Sequence, residues 1–111
     1  MNTKMLTIIL TIVTGLIHLL LGIAFLGDGG TLPILFILNG IGYLALLAGL
    51  YYLPQLADQR SMIRYGLMAF TAVTIVAYFV VNEAPFASLF GLFDKVVEVV
   101  LIVVLWMGRE A

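Results

Sequence analysis

Four apolar runs divide this 111-residue chain, each close to the ~20 residues that an α-helix needs to cross the hydrocarbon core of a bilayer. They fall at about residues 5–26, 32–53, 62–81 and 86–107, with ends defined to within ~2 to 4 residues. The separators "GDGGT", "PQLADQRS" and "NEAP" each contain the Gly, Pro, Asn or Asp of a turn. Nothing is left over for a soluble domain. The expected fold is therefore all-α, a single integral membrane domain over residues 1–111 built as a four-transmembrane-helix bundle. Composition agrees: 64% of residues are hydrophobic and 10% charged, against about half and a quarter in soluble domains.

The first run is expected to stay as a span. Its apolar stretch exceeds the ~7 to 15 residues of a signal-peptide core, and no A-x-A-like site precedes "GDGG". Orientation follows from the basic residues, which accumulate in short cytoplasmic segments. Lys4, Arg60, Arg64 and Arg109 fall at the N-terminus, the middle loop and the C-terminus, whereas the other two loops carry only Asp28 and Glu83. Both termini are thus expected in the cytoplasm, in a multi-pass protein of the cell (plasma) membrane of a bacterium or archaeon. A net charge of -1 gives no basic patch for nucleic acid, and the absence of cysteine removes disulfides, thiol catalysis and thiolate metal sites.

Against this background, Asp94, Lys95 and Glu98 in "GLFDKVVEVVLIVVLW" stand out. Each such residue at a bilayer centre costs roughly 2.5 to 3.5 kcal/mol on insertion scales, so other groups must compensate them. At ~1.5 Å of rise per residue, His18 and Asp94 lie about 12 Å from the outer ends of their spans, Asn39 and Thr74 about 10 Å, Tyr78 about 5 Å and Glu98 about 18 Å. All four spans therefore bring polar groups to the outer half of the membrane.

Spacing of three or four residues places these groups on single helix faces. Thr3, Thr7, Thr11, Thr14 and His18 form one stripe bordered by Gly15 and Gly22; Asn39 with Tyr43, Thr71 with Thr74 and Tyr78, and Asp94 with Glu98 form the others, Gly91 and Lys95 lying on the flank of the last. Because polar groups avoid lipid, the stripes are expected to face one another.

Each feature also has a purely structural reading. Thr hydroxyls in membrane helices commonly bond carbonyls of the preceding turn. Gly42, Ala45 and Gly49 read as a close-packing stripe. Tyr51, Tyr52 and Trp106 read as interfacial anchors. Lys95 can pair locally with Glu98 at i, i+3, which leaves at least one acid to be balanced by His18, by hydrogen bonds from Asn39, Tyr43 and Tyr78, or by a proton. Haem ligation through His18 would need a second axial group, from a symmetry mate or Tyr43. Metal binding through His18, Asp94 and Glu98 has acceptable ligand types but no diagnostic spacing such as His-x-x-x-His. No cofactor and no metal are expected.

The stretches "TGLIHLLLG", "LNGIGYLALL", "RYGLMAFTAVTIVAYFVVN" and "GLFDKVVEVVLIVVL" together resemble a group of small, functionally uncharacterised four-span membrane proteins of archaea and bacteria. His18, Asn39, Tyr43, the "TAVTIVAYF" run and Asp94 to Glu98 carry the resemblance, which implies a four-helix membrane fold and no activity. Small multidrug exporters place an essential glutamate in the first span, where this chain has His18. Four-span fluoride channels are usually dual-topology, which the charge bias here disfavours.

The residues themselves lead to the expectation of an outward-facing cavity lined by His18, Asn39, Tyr43, Thr74, Tyr78, Asp94, Lys95 and Glu98, binding or moving a small ligand or ion with proton coupling in a homo-oligomer. An alternative is a non-catalytic accessory subunit of a larger membrane complex. A membrane enzyme acting on a lipid through His18 and a carboxyl group is a third class, and no recognisable motif accompanies it.

Overall fold

Residues 2–81 and 88–109 are described by a computed structural model of the chain. The four long helices among them are α1 (Thr3–Phe25), α2 (Leu32–Leu47), α3 (Arg60–Val81) and α4 (Leu89–Met107). Three helical stretches, Thr3–Asp28, Leu32–Tyr52 and Pro54–Val81, are long and apolar enough to cross a membrane. At 19 residues, α4 is about 28 Å long and is set apart by its three charged residues. The "NEAP" turn and the expected start of the fourth span at residues 86 and 87 lie outside the described residues.

Local chemistry explains where the helices start and stop. Asn2 Oδ1 accepts the Met5 N–H at 2.8 Å and caps α1; Ser88 Oγ accepts the Gly91 N–H at 3.0 Å and caps α4. After α1 a short 3₁₀ turn leads to Gly29 and Gly30, whose φ angles of 77° and 86° are ones that L side chains resist. The second span ends with a π-helical turn at Ala48–Tyr52. It stops where the Pro54 ring favours an extended residue before it, and Leu53 has φ −113° and ψ 99°. A 3₁₀ segment, Pro54–Gln59, then runs into α3.

The helices form a closed ring. α1 packs against α2 and α4, and α3 against α4 and α2. In this bundle the usual soluble arrangement is reversed: on α1 the buried positions are Thr7, Thr11, Thr14, Gly15, His18 and Gly22, while Ile9, Ile12, Leu16, Leu20 and Ile23 face outward. α1 and α2 touch through their backbones. A Cβ on Gly40 would lie 2.6 Å from the Gly15 carbonyl oxygen, and one on Gly22 would lie 2.7 Å from that of Pro33. Of the packing stripe read at Gly42, Ala45 and Gly49, Gly42 is closely packed by the Phe70 ring and Gly49 is buried in ordinary contacts, whereas Ala45 is exposed and takes no part. Tyr43, Leu50, Leu67, Leu101 and Leu105 form the apolar core, with a polar layer above it at the end of the α1–α2 turn.

Candidate functional site

The polar layer gathers residues from all four helices. His18, Asp94, Lys95 and Glu98 retain 6, 4, 6 and 0% of their accessible surface, so the charges are largely buried within the bundle. Lys95 sits between the two acids, with Nζ 3.3 Å from Asp94 Oδ2 and in an ion pair with Glu98 Oε1. It also lies over the Tyr78 ring, 4.9 Å from its centroid. Of the two directions open to Lys95 from the flank of its stripe, the side chain takes the inward one, making the i, i+3 pair with Glu98 and reaching Asp94 as well. Tyr43 donates its hydroxyl to Glu98 Oε2 at 2.6 Å.

The sequence pattern treated Thr14 as helix glue, yet it links the cluster together. Its hydroxyl lies 2.8 Å from Asp94 Oδ1 and 3.1 Å from Glu98 Oε2. One hydroxyl hydrogen is either shared between the two acceptors or given to one of them while a protonated carboxyl group donates to the threonine oxygen. The sole sequence signal for this role is the position of Thr14 one turn before His18. Thr71 and Thr74 behave as expected, donating to the carbonyls of Leu67 and Phe70. Thr7 and Thr11 do not, and their buried hydroxyls have no hydrogen-bond partner among the described residues.

The geometry also assigns the histidine nitrogens. His18 Nδ1 is 2.8 Å from the Thr14 carbonyl oxygen, which can only accept, so Nδ1 carries hydrogen. Nε2 faces Asp94 Oδ2 at 3.6 Å. The ring is held edge-on by Phe36, with centroids 5.8 Å apart. Two carboxylates against one ammonium leave a charge of −1, so one further proton neutralises the cluster. It can reside on the His18–Asp94 pair or between Glu98 and Thr14. His18, Asp94 and Glu98 each offer a ligand atom within 4.8 Å of the others, as a metal site would, but a metal ion there would have to expel the Lys95 ammonium that already compensates both acids.

A cavity of about 590 Å³ adjoins the cluster. His18, Asn39, Thr74, Tyr78, Asp94 and Lys95 supply its polar wall; Ile17, Leu21, Leu35, Phe36 and Phe90 are among its apolar residues. Tyr43 and Glu98 lie behind that wall and do not line it. Thr74 gives its single hydrogen to the Phe70 carbonyl, and so accepts from Asn39 Nδ2 at 2.8 Å. This fixes the Asn39 amide with Oδ1 free, a buried acceptor without a partner among the described residues.

The chain belongs to a family of unknown function, DUF7475, which matches residues 2–107. No curated protein and no solved structure matches it.

Proposed function

For a member of a family without an assigned activity, we propose that this protein is a four-span integral membrane protein, both termini cytoplasmic, that exchanges a proton for a small amphipathic cation in the cavity beside Asp94. The membrane assignment draws support from the outward apolar side chains on all four helices and from the gathering of Lys4, Arg60, Arg64 and Arg109 at one end.

The observation that carries the reading is the charge balance of the cluster. It is one positive charge short of neutral, and Asp94 borders a cavity whose remaining walls are mostly apolar. A cavity of this size and lining suits a small organic molecule with one polar head. An ammonium head offers its positive charge to Asp94 and an N–H to Asn39 Oδ1, while Phe36 and Phe90 receive the apolar remainder. When the head arrives, the proton held by the cluster becomes surplus and leaves; when the proton returns, the head loses its counter-charge. His18 Nε2 and Asp94 hold the exchanged proton, Thr14 passes it to Glu98, and Tyr43 and Lys95 keep Glu98 aligned. The unpartnered hydroxyls of Thr11 and Thr7 continue the polar trail toward the basic end.

Calorimetry of the purified protein with phenethylammonium, in buffers of different ionisation enthalpy, tests this directly. The reading predicts release of about one proton per ligand bound, abolished in Asp94→Asn and Glu98→Gln. Reconstituted vesicles should then show proton-linked uptake that these variants lack. No binding, or binding without proton release, contradicts the proposal.

A further inference from the structure

At the opposite end of the bundle lies a second pocket, of about 290 Å³. Its charged residues are Lys4 from the start of α1, Arg60 and Arg64 from the start of α3, and Arg109 just after α4. Thr3, Tyr51 and Ser61 add hydroxyl groups. Among the described residues no carboxylate comes within 4.0 Å of any of these cations; Asp58, two residues before Arg60, forms no such pair, and Glu110 lies outside the described residues.

Arg64 is the centre of this site. It is only 8% exposed, which is unusual for a cation lacking an acidic partner. Nη1 donates to the Leu105 carbonyl at 3.2 Å and Nη2 to the Tyr51 hydroxyl at 3.1 Å. Those bonds use two of the five guanidinium hydrogens and tie the end of α4 to the π-helical turn of α2. Lys4 approaches the same tyrosine from its face, with Nζ 5.3 Å from the ring centroid. Gly108 leaves the approach open, since a Cβ there would lie 3.1 Å from both Arg64 Nη1 and Thr3 Oγ1.

Capping explains part of this arrangement. Arg64 and Arg109 satisfy the Leu105 and Trp106 carbonyls at the negative end of α4, and Arg109 stacks on Trp106 at 3.7 Å. A helix terminus offers only about half an elementary charge, however, and four cations converge here. Three guanidinium hydrogens of Arg64 remain available, Lys4 and Arg60 stand at the exposed rim, and hydroxyl donors lie between them. A tetrahedral dianion or monoester with several acceptor oxygens answers this set of donors, and arginine forks suit phosphate geometry.

We propose that this pocket binds a phosphate group, with Arg64 as its buried anchor and Lys4 and Arg60 as its outer clamps. An anionic phospholipid headgroup and a free phosphate are the two sources of such a group; both present the same oxygens to the same donors. The site is independent of the acid cluster and of the proton exchange proposed above.

The full chain, purified and placed in nanodiscs of mixed phosphatidylglycerol and phosphatidylcholine, provides the test. Native mass spectrometry counts the lipids retained on each chain. Selective retention of one phosphatidylglycerol, weakened roughly 30-fold in Lys4→Gln/Arg60→Gln, supports the lipid source, the factor being what two surface cations contribute. These two exposed positions leave folding intact even where Arg64→Gln does not. Delipidated protein is then titrated with inorganic phosphate; a thermal shift that the double variant loses supports the free-phosphate source. The absence of both lipid selectivity and a phosphate response that differs between wild type and the double variant overturns the proposal. Glu98→Gln is expected to retain whichever response the wild type shows, which separates this site from failure of the acid cluster.

Discussion

At one end of the bundle two acids, a lysine and a histidine are sealed against one another; at the other, four cations surround a pocket without an acid among the described residues. The first region is a closed circuit in which every charged group touches another, short by a single proton. The second is open and short of an anion. Burial separates them as clearly as sign does. Glu98 has no exposed surface, whereas Lys4 and Arg60 stand at the rim. The contrast in burial and sign underlies the two proposals: a proton held and released at the closed circuit, and a negatively charged group received at the open one.

Breaking the closed circuit has the largest expected effect. Lys95→Met leaves Asp94 and Glu98 without their shared cation and is expected to cost about 3 to 5 kcal/mol, read as a loss of unfolding free energy in detergent. Tyr43→Phe removes the 2.6 Å donor to Glu98 while keeping the ring, and unfolding measurements should show a cost of about 1.5 to 3 kcal/mol. Thr11→Val tests the polar trail. It swaps an unpartnered buried hydroxyl for a methyl group, so stability should hold or rise by about 1 kcal/mol, while proton exchange with the α1 end slows in stopped-flow pH-jump measurements. Unchanged exchange would remove Thr11 from the path. Arg60→Gln at the open end is expected to leave the unfolding curve where it is; a large loss of stability there would erase the contrast between the two regions.

The four helices and the polar layer were legible because long apolar runs and polar stripes at helical spacing are both written directly into the sequence. Depth counting was enough to bring His18, Asn39, Thr74 and Asp94 to one level, since rise per residue is nearly constant in a helix. What depth cannot supply is side-chain direction. Lys95 at the edge of its stripe has a stem long enough to turn inward, and nothing in its spacing distinguishes that from turning outward. Thr14 was hidden in a run of threonines whose ordinary role is intrahelical; only the approach of α4 converts it into a link between acids. Gly40 was missed for a similar reason, because its contact is with the Gly15 backbone on another helix. Arg64 served as a topology marker in the sequence, and its burial depends on the π-helical turn that brings Tyr51 to it.

The central claim is that the acid cluster holds one exchangeable proton. Infrared difference spectroscopy of the reconstituted protein, stepped from high to low pH, observes the carboxyl groups directly. One protonated-carboxyl band, or the matching imidazolium signal of His18, should appear on acidification, and the carboxyl band should vanish or shift in Glu98→Gln or Asp94→Asn. A spectrum in which neither the acids nor His18 change protonation across the range in which the protein stays folded would contradict the account.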